Sequence, residues 1–260
     1  MPDLAGKVAM VTGAGQGIGE AIAQRLAADG CAVVLADKEP SPLGETTERL
    51  SSLGRTVHSV VADVTDRDEV EHMFHLADEV FGGIDILVNN AGIFGNARFE
   101  DLTDQQWHTM MAVNVGSVFV VSQLAARRWL AAKRPGSIIN MSSVSAQVAF
   151  TDSSHYSASK AAVAALTRCV AVELGPHGIR ANSIAAGIIE TVMTAGALSE
   201  PELAAAWELR IPLRRNGSVE DVAALASFLA SDDSSYINGE MIVIDGGASF
   251  SWPKPSDRER

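Results

Sequence analysis

Short apolar runs and longer helical patterns alternate along the chain. Runs rich in β-branched residues are typical of buried strands, and apolar residues at i, i+3 and i+4 are typical of helices. The pattern predicts strands at 7–12, 31–36, 56–61, 84–88, 137–141, 179–185 and 241–244. It predicts one helix between the first two strands, ending at Gly30, and others at 43–53, 66–81, 103–111, 114–133 and 156–174.

This alternation predicts an α/β fold, a Rossmann-type doubly wound parallel β-sheet of about seven strands with helices on both faces. Neither a linker composition nor an internal repeat interrupts the pattern, so we expect a single domain over residues 1–250. Residues 251–260 contain two prolines and five charged side chains, which is typical of a flexible C-terminal tail.

Composition narrows the possible partners. Hydrophobic residues make up 47% of the 260, and the 20 basic and 32 acidic residues give a net charge of −12. This acidity argues against nucleic acid and anionic membrane surfaces as partners. We see no apolar run near the ~18 residues of a membrane span, and no signal peptide at the start, so we expect a cytoplasmic protein. Cys31 and Cys169 lie in apolar runs and are predicted to be small buried hydrophobes in a reducing compartment.

A glycine-rich loop, residues 13–19, follows the first predicted strand and begins a predicted helix. The generic G-x-G-x-x-G spacing does not fit, but G-x-x-x-G-x-G does, with Gly13, Gly17 and Gly19. Such glycines let the backbone approach a phosphate, and the helix N-terminus supplies N–H groups. Asp37 ends the next strand, where an adenosine ribose would lie. The segment therefore predicts a dinucleotide-binding βαβ unit.

Tyr156 and Lys160 lie four residues apart on a predicted helix and share one face. A neighbouring ammonium ion favours the phenolate, so we expect the pKa of Tyr156 to be lowered toward that of a general acid or base. Such a pair also arises by chance, so its meaning depends on the other motifs. His155 points about 100° away around the helix, and we expect a surface or pocket-wall position rather than a second base.

Taken in order, these motifs resemble the short-chain dehydrogenase/reductase family from Lys7 to about Gly247. Residues 12–19 are similar to its cofactor loop, Asp63-Val64 to its adenine contact, and residues 89–92 to the segment that steadies its central sheet. Residues 237–239 and 243–247 resemble its C-terminal signature.

The resemblance implies a catalytic set of Asn114, Ser143, Tyr156 and Lys160. Ser143, rather than Ser142, stands 13 residues before Tyr156, as expected of the family. The implied roles are proton transfer by Tyr156, and binding of the nicotinamide ribose and lowering of the tyrosine pKa by Lys160. Ser143 would position the substrate oxygen, and Asn114 would hold a water that links Lys160 to solvent. From the residues alone, Ser143 is also explained as a strand-end cap and Asn114 as a helix N-cap.

The resemblance also implies a set of cofactor contacts, and no metal. These contacts are Gly13, Gln16, Gly17, Ile18, Gly19, Asp37, Asp63, Val64, Asn90, Ala91, Gly92, Tyr156, Lys160, Gly187, Ile189 and Thr191. One departure is Ala186-Gly187, where the family usually has Pro-Gly. We expect it to loosen the loop over the nicotinamide, while Thr191 still stands at the carboxamide contact.

These implications predict an NAD-dependent dehydrogenase that interconverts a secondary alcohol and a ketone. The alternative is a catalytically silent nucleotide-binding regulator of the same fold, which would have no chemical need for both Tyr156 and Lys160. A nucleotide-sugar epimerase is a third possibility, but such relatives carry a longer C-terminal substrate domain.

Three residues determine the expected cofactor. The Asp37 carboxylate would accept hydrogen bonds from both ribose hydroxyls and would repel a 2′-phosphate. Lys38 is the one candidate cation beside it, and Gln16 stands where relatives that use NADP often have a basic residue. We therefore predict NAD.

The substrate and the assembly are less constrained. Mostly apolar residues after Thr191 could line a substrate pocket beneath a lid or could pack as ordinary helices: Met193, Leu198, Trp207, Leu209 and Ile211. They favour a nonpolar alcohol or ketone over a sugar. Arg214-Arg215 is predicted to be a surface or interface ion-pair site. The resemblance implies a homotetramer, with the helices at 114–133 and 156–174 packed against their copies and residues 241–250 forming a second contact.

Overall fold

All strands of the computed structural model, which describes residues 3–251 apart from the side chains at positions 197 and 203, belong to one sheet. They are β1 (Val8–Thr12), β2 (Ala32–Asp37), β3 (Val57–Val61), β4 (Ile86–Asn89), β5 (Gly136–Ser143), β6 (Ile179–Ala186) and β7 (Met241–Ile244). The seven predicted strands are confirmed to within two residues at each end. The predicted C-terminal tail lies, except for Ser251, outside the described residues.

The sheet is parallel throughout, in the order β3-β2-β1-β4-β5-β6-β7. The chain builds outward from β1 to β3 in one direction and from β4 to β7 in the other. Met10 of β1 pairs with Val34 of β2 on one side and with Leu87 of β4 on the other. The switch in direction therefore lies between β1 and β4, and ligands of such sheets bind there, beyond the carboxyl ends of the strands.

Helices cover both faces of the sheet, which confirms the doubly wound architecture. The helices are α1 (Gly17–Ala28), α2 (Pro40–Ser52), α3 (Arg67–Phe81), α4 (Asp104–Met111), α5 (Ser117–Ala132), α6 (Ser154–Leu174), α7 (Val192–Leu198), α8 (Pro201–Arg210) and α9 (Val219–Ala230). On one face α1, α2 and α9 bury side chains such as Leu26 and Leu229. On the other face α3, α5 and α6 bury side chains such as Phe74 and Trp129.

The helix α9 is absent from the sequence prediction. Its start is well marked, because Ser218 and Asp221 form a reciprocal capping box. Its apolar residues, however, pack both against the sheet and against α1. They therefore occupy more than one side of the helix, and the amphipathic period is blurred.

The helices α4 and α5 are not separate. A π-helical turn, Ala112–Gly116, joins them into one continuous helix that contains Asn114. The predicted start at Asn114 is wrong, and so is its alternative explanation as an N-cap. Single π turns inside α-helices are frequent at functional sites.

The joined helix is longer than a membrane span, although it contains no unbroken apolar run of ~18 residues. By length and composition alone, the 29-residue helix Asp104–Ala132 could cross a bilayer. Half of its most apolar window is buried inside the protein, and Val121, Leu124 and Trp129 pack on the sheet. A core helix of a globular fold has the same character.

Of the two cysteines predicted to be buried, one is buried and the other is not. Cys31 is buried as expected, but Cys169 is exposed. It lies on the side of α6 that faces away from the sheet, whereas Thr167 and Ala171 are buried.

The predicted ion pair is found at Arg215, whose guanidinium donates to both oxygens of Asp221 at 2.6 and 3.0 Å.

Candidate active site

The glycine loop is joined to the end of β4 by side-chain hydrogen bonds. Asn90 Nδ2 donates to the carbonyl oxygens of Thr12 and Gly13 at 3.1 and 3.0 Å. In return, Thr12 Oγ1 accepts from the backbone N–H groups of Asn90 and Ala91, both at 3.1 Å. The loop after β1 and the segment after β4 thus form one rigid unit at the switch point.

The loop geometry requires its glycines. A Cβ atom on Gly19 would overlap the carbonyl oxygen of Gly13 and the amide of Asn90. Gly13 and Gly17 have φ values of 64° and 61°, in the region that favours glycine. Gln16 is the N-cap of α1, and its side chain makes no capping hydrogen bond. The N–H groups of the first turn therefore remain suited to phosphate oxygens.

Asp37 lies beside this loop at the end of β2. Its Oδ2 accepts from the Gly15 N–H at 2.9 Å and its Oδ1 from the Glu39 N–H at 3.1 Å. Each carboxylate oxygen has a second lone-pair direction left. The carboxylate is thus held in place and can still accept from two ribose hydroxyls.

Asp63 and Val64 follow the neighbouring strand β3. Hydrogen bonds from Thr65 hold the pKa of the Asp63 carboxyl below its usual range, and the charge of Lys38 has a smaller effect in the same direction. Val64 is buried. At this carboxyl edge of the sheet, Asp63 therefore offers a charged acceptor and Val64 an apolar contact, and an adenine ring requires both.

The other half of the site lies at the end of β5 and the start of α6. Ser143 is the last residue of β5, and its hydroxyl lies near enough to Tyr156 to act on the pKa of the phenol. Its Oγ accepts from the Ser145 N–H and donates to Ser145 Oγ, both at 3.1 Å, so its explanation as a strand-end cap is confirmed. Ser142, by contrast, donates to the backbone carbonyl of Lys160 at 3.0 Å.

Tyr156 and Lys160 lie together, but the electrostatics differ from the expectation. Burial raises the pKa of the Tyr156 phenol, and the nearby Ser143 hydroxyl offsets this only in part. Lys160 Nζ lies 5.7 Å from the tyrosine ring centroid and donates to the Met141 carbonyl at 2.9 Å. Burial also lowers the pKa of the Lys160 ammonium to about 8. The predicted lowering of the tyrosine pKa is therefore wrong, because burial determines the direction of the shift and the opposing contribution comes from Ser143 rather than from the Lys160 charge.

Asn114 joins the substrate side of the site to α6. Its Oδ1 accepts from the Ile93 N–H at 2.8 Å, and its Nδ2 donates to the Ile93 carbonyl at 3.0 Å and to Ser159 Oγ at 3.1 Å. A Cβ on Gly92 would lie 3.2 Å from Asn114 Oδ1 and 3.5 Å from Lys160 Nζ. Asn114 and Lys160 therefore converge on Gly92, although Asn114 already has protein partners at both ends of its amide.

His155 is only 2% exposed, so of the two predicted positions the surface one is wrong and the pocket wall stays a prediction. The ring lies near Gly95 and Met110, between the helices α4 and α6. Its Nδ1 is buried without a hydrogen-bond partner among the described residues.

The segment after β6 closes over the glycine loop. Ala186 is still paired on both sides, with Ser143 and Ile244, so the loop begins only after it. Gly187 donates its N–H to Ile244, and a Cβ there would lie 2.6 Å from that of Asp245. Thr191 lies over Gly17, 3.8 Å from a Cβ built on that residue, and Ile189 is buried.

Of the residues predicted to line a lid or to pack as ordinary helices, the structure decides only Ile211. Ile211 is buried and packs against Gly246, as an ordinary core residue does. Met193 is 58% exposed on α7, and Leu198, Trp207 and Leu209 are partly buried.

Two residues outside the predicted catalytic and cofactor-binding sets contact the site. Phe94 stands edge-to-face against Tyr156, with ring centroids 4.9 Å apart and an interplanar angle of 84°. Its signal is an aromatic side chain two residues after the segment 89–92. Ser159 accepts from Asn114 and donates to the Tyr156 carbonyl at 2.7 Å, and its signal is a polar residue one turn after Tyr156.

The arrangement fits a nicotinamide dinucleotide. The glycine loop offers N–H groups to a pyrophosphate, Asp37 offers acceptors to a ribose, and Thr191 lies near the same loop. The hydroxyls of Tyr156 and Ser143 converge at the carboxyl edge, beside a buried ammonium. Fold and site together define a dinucleotide-binding oxidoreductase.

Comparison with known proteins agrees. A family model described as enoyl-(acyl carrier protein) reductase matches residues 13–249. The chain is 40% identical to 3β-hydroxysteroid dehydrogenase 1 of Eggerthella lenta over 95% of each chain. It is also 40% identical to a 3-oxoacyl-[acyl-carrier-protein] reductase of Thermotoga maritima over 94% of this chain and 98% of that protein. A crystal structure of a gluconate 5-dehydrogenase from Burkholderia cenocepacia, in complex with NADP and tartrate, superposes with a TM-score of 0.91. It shares 34% identity over 96% of this chain and 97% of that one.

The chain belongs to the short-chain dehydrogenase/reductase family. It is an oxidoreductase that acts with a nicotinamide cofactor on alcohols and ketones.

The burial of Lys160 leads to a stability prediction. Because the folded-state pKa is about 8 and the ordinary value about 10.4, the folded protein binds this proton less tightly than the unfolded chain. Wild-type stability should therefore rise as pH increases from about 8 to about 10.4. We expect Lys160→Met to raise the free energy of unfolding at pH 7 by about 1–3 kcal/mol, less at pH 10, as measured by urea denaturation.

The exposed Lys38→Met serves as the control and should show no comparable pH-dependent gain. A Lys160→Met protein that is less stable than the wild type at pH 7 would show that the lost hydrogen bond to Met141 dominates.

Proposed function

We propose that this protein is an NAD-dependent short-chain dehydrogenase that interconverts a nonpolar secondary alcohol and its ketone. The observation that carries the proposal is the convergence of Ser143, Tyr156 and Lys160 beside the glycine loop. The family relationship supports the same reaction class.

Each residue of the proposed catalytic set has a separate role. Tyr156 takes the proton of the alcohol hydroxyl in oxidation and returns it to the developing alkoxide in reduction. Ser143 holds the substrate oxygen by a hydrogen bond that strengthens as charge develops there. Lys160 would bind the nicotinamide ribose, and its charge favours the tyrosinate against the opposing effect of burial. Asn114 would hold the water that links Lys160 to solvent through the second lone pair of its Oδ1, since its Nδ2 already has protein partners. When bound, the nicotinamide cofactor supplies the site that accepts or donates the hydride.

The alternative of a catalytically silent regulator finds no support. A regulator would have no need for a tyrosine and a buried lysine on one face of α6, since burial of the ammonium opposes folding. The hydroxysteroid and gluconate dehydrogenases among its relatives are named for oxidoreductase activities.

Tyr156→Phe tests the proton transfer. The variant keeps the ring and its packing on Phe94 but removes the transferable proton. We expect turnover to fall by at least ~100-fold, the low end for general acid–base catalysis, while the dissociation constant for NAD barely changes.

Tyr236, the only other tyrosine, supplies a matched control because its side chain is fully exposed. Tyr236→Phe should retain wild-type turnover. Comparable turnover in Tyr156→Phe would remove Tyr156 from the role of proton donor.

We propose NAD rather than NADP because of the setting of Asp37. Its carboxylate is fixed by two backbone N–H groups, so it cannot swing away from a 2′-phosphate without losing them. The charge of Lys38 acts on Asp63, which gives that ammonium a competing partner. The related gluconate 5-dehydrogenase binds NADP, so family membership by itself does not determine the choice.

We expect a wide preference for NAD over NADP in kcat/KM, measured with both cofactors on one accepted alcohol. Asp37→Ala should narrow the gap by removing the repelling charge and the ribose acceptor. Asp37→Asn separates the two effects, because it removes the charge but keeps one acceptor oxygen. A wild-type preference for NADP would indicate that Lys38, and not Asp37, governs the site.

The proposal of a nonpolar substrate depends on exposed apolar side chains beyond the carboxyl ends of the strands. Phe94, Phe150, Val192 and Met193 are between 42% and 72% exposed. Relatives are named for a steroid, an acyl thioester and a sugar acid, so their names do not select one chemistry. Apolar side chains at this end of the sheet favour substrates that bury apolar area over polyhydroxylated ones.

We also propose a homotetramer, and a cytoplasmic location that cell fractionation would test. Trp107, Phe119 and Val172 on α4, α5 and α6 are 38%, 47% and 78% exposed. Exposed apolar side chains on these helices support packing against a copy of the chain. The free thiols of Cys31 and Cys169 are typical of a reducing compartment.

Light scattering at micromolar concentration should give about four times the 27.3 kDa chain mass. Val172→Glu should lower that mass by burying a charge in the contact. Val80→Glu is the control on α3, where the valine is 46% exposed outside the proposed contact. A monomeric wild-type mass would remove the proposal.

A further inference from the structure

Phe94 is placed to contact a substrate. Its ring touches Tyr156 at nearly a right angle, and yet 44% of its side chain is exposed. A large aromatic side chain contributes most binding or folding free energy when its whole surface is buried. Here one part of the ring is covered by the tyrosine of the catalytic set and another part stays open.

The backbone on both sides of Phe94 is held firmly. Ile93 uses both its N–H and its carbonyl on the amide of Asn114, at 2.8 and 3.0 Å. Three residues after Phe94, the Ala97 N–H donates to the Asp152 carbonyl at 2.8 Å. The ring is therefore presented by an anchored segment, and its open face needs little ordering when a ligand binds.

Further apolar side chains come from two other segments of this region. The bond between Ala97 and Asp152 brings the loop that carries Phe150 to the Phe94 segment, and Phe150 is 42% exposed. Thr191 lies over the glycine loop, and the exposed Val192 and Met193 follow it directly. Both segments thus add apolar surface around the cofactor loop and the catalytic tyrosine.

The rings of Phe94 and Tyr156 meet at nearly a right angle and so form a corner with two aromatic walls. A flat apolar ring stacked on Phe94 would lie at nearly right angles to the Tyr156 ring. Offset-stacked and edge-to-face contacts are the arrangements that aromatic rings prefer. A polyhydroxylated chain would have its hydroxyl groups desolvated against the same surface.

We propose that Phe94 selects substrates whose carbinol carbon lies in or next to an apolar ring. The inference rests on the proposed dehydrogenase function and narrows its substrate class. Phe94 acts here as a specificity-determining residue, separate from the proton transfer assigned to Tyr156.

The test compares cyclohexanol with 2-propanol at saturating NAD, in wild type, Phe94→Ala and Phe94→Leu. Phe94→Ala should lower the ratio of kcat/KM for cyclohexanol over 2-propanol by about tenfold, the effect of losing one ring contact and its buried area. The change should lie mainly in KM for cyclohexanol, and Phe94→Leu should fall between the other two proteins. The dissociation constant for NAD should not change.

Phe99→Ala is the matched control, because Phe99 belongs to the neighbouring turn Phe99–Asp101 and is 78% exposed. It should keep the wild-type ratio. An unchanged ratio in Phe94→Ala would overturn the inference. An equal loss of kcat for both alcohols would also overturn it, because Phe94 would then act by positioning Tyr156.

Calorimetric titration with cyclohexanone keeps the inference testable if the wild type oxidises neither alcohol, the result that would count against the proposed function. In that case, about tenfold weaker binding to Phe94→Ala than to wild type supports the aromatic site. Equal binding to the two proteins rejects it.

Discussion

The hydrogen bonds between Thr12 and Asn90 are the contact on which the site depends. They join the ends of β1 and β4, the two strands between which the chain changes direction. The glycine loop and the segment 89–92 are therefore fixed relative to each other without a ligand. Because Asn114 and Lys160 both converge on Gly92, the same contact places the cofactor side of the site against the catalytic side.

The catalytic side is held by bonds to backbone groups. Lys160 donates to the Met141 carbonyl, Asn114 binds both backbone groups of Ile93, and Ser142 ties β5 to α6. A π turn admits Asn114 into the interior of a continuous helix. Such anchoring means that the entropy cost of orienting the reactive groups is met during folding and not during the reaction. It also has a thermodynamic cost, since an ammonium ion is taken out of water.

Much of the fold could be predicted from the sequence, because periodicity reports burial directly. The strands and the two-sided coverage follow from apolar runs that alternate with helical patterns. Prediction failed where tertiary contacts change that relation. The helix α9 packs on both the sheet and α1, which blurs its period, and a π turn joins two helices that the pattern separates. Cys169 has an apolar neighbourhood in sequence but an exposed position on α6.

The sequence by itself determined the family, the order of the site residues and the glycine positions, because those are properties of residue type and spacing. Only the tertiary structure decided how the side chains meet. It set Phe94 against Tyr156, buried His155, and made desolvation rather than a neighbouring charge the larger influence on the pKa of Tyr156. The spacing of residues along the chain indicates which of them share a helix face. Solvent exclusion and ring contacts depend on segments far apart in sequence, which only folding brings together.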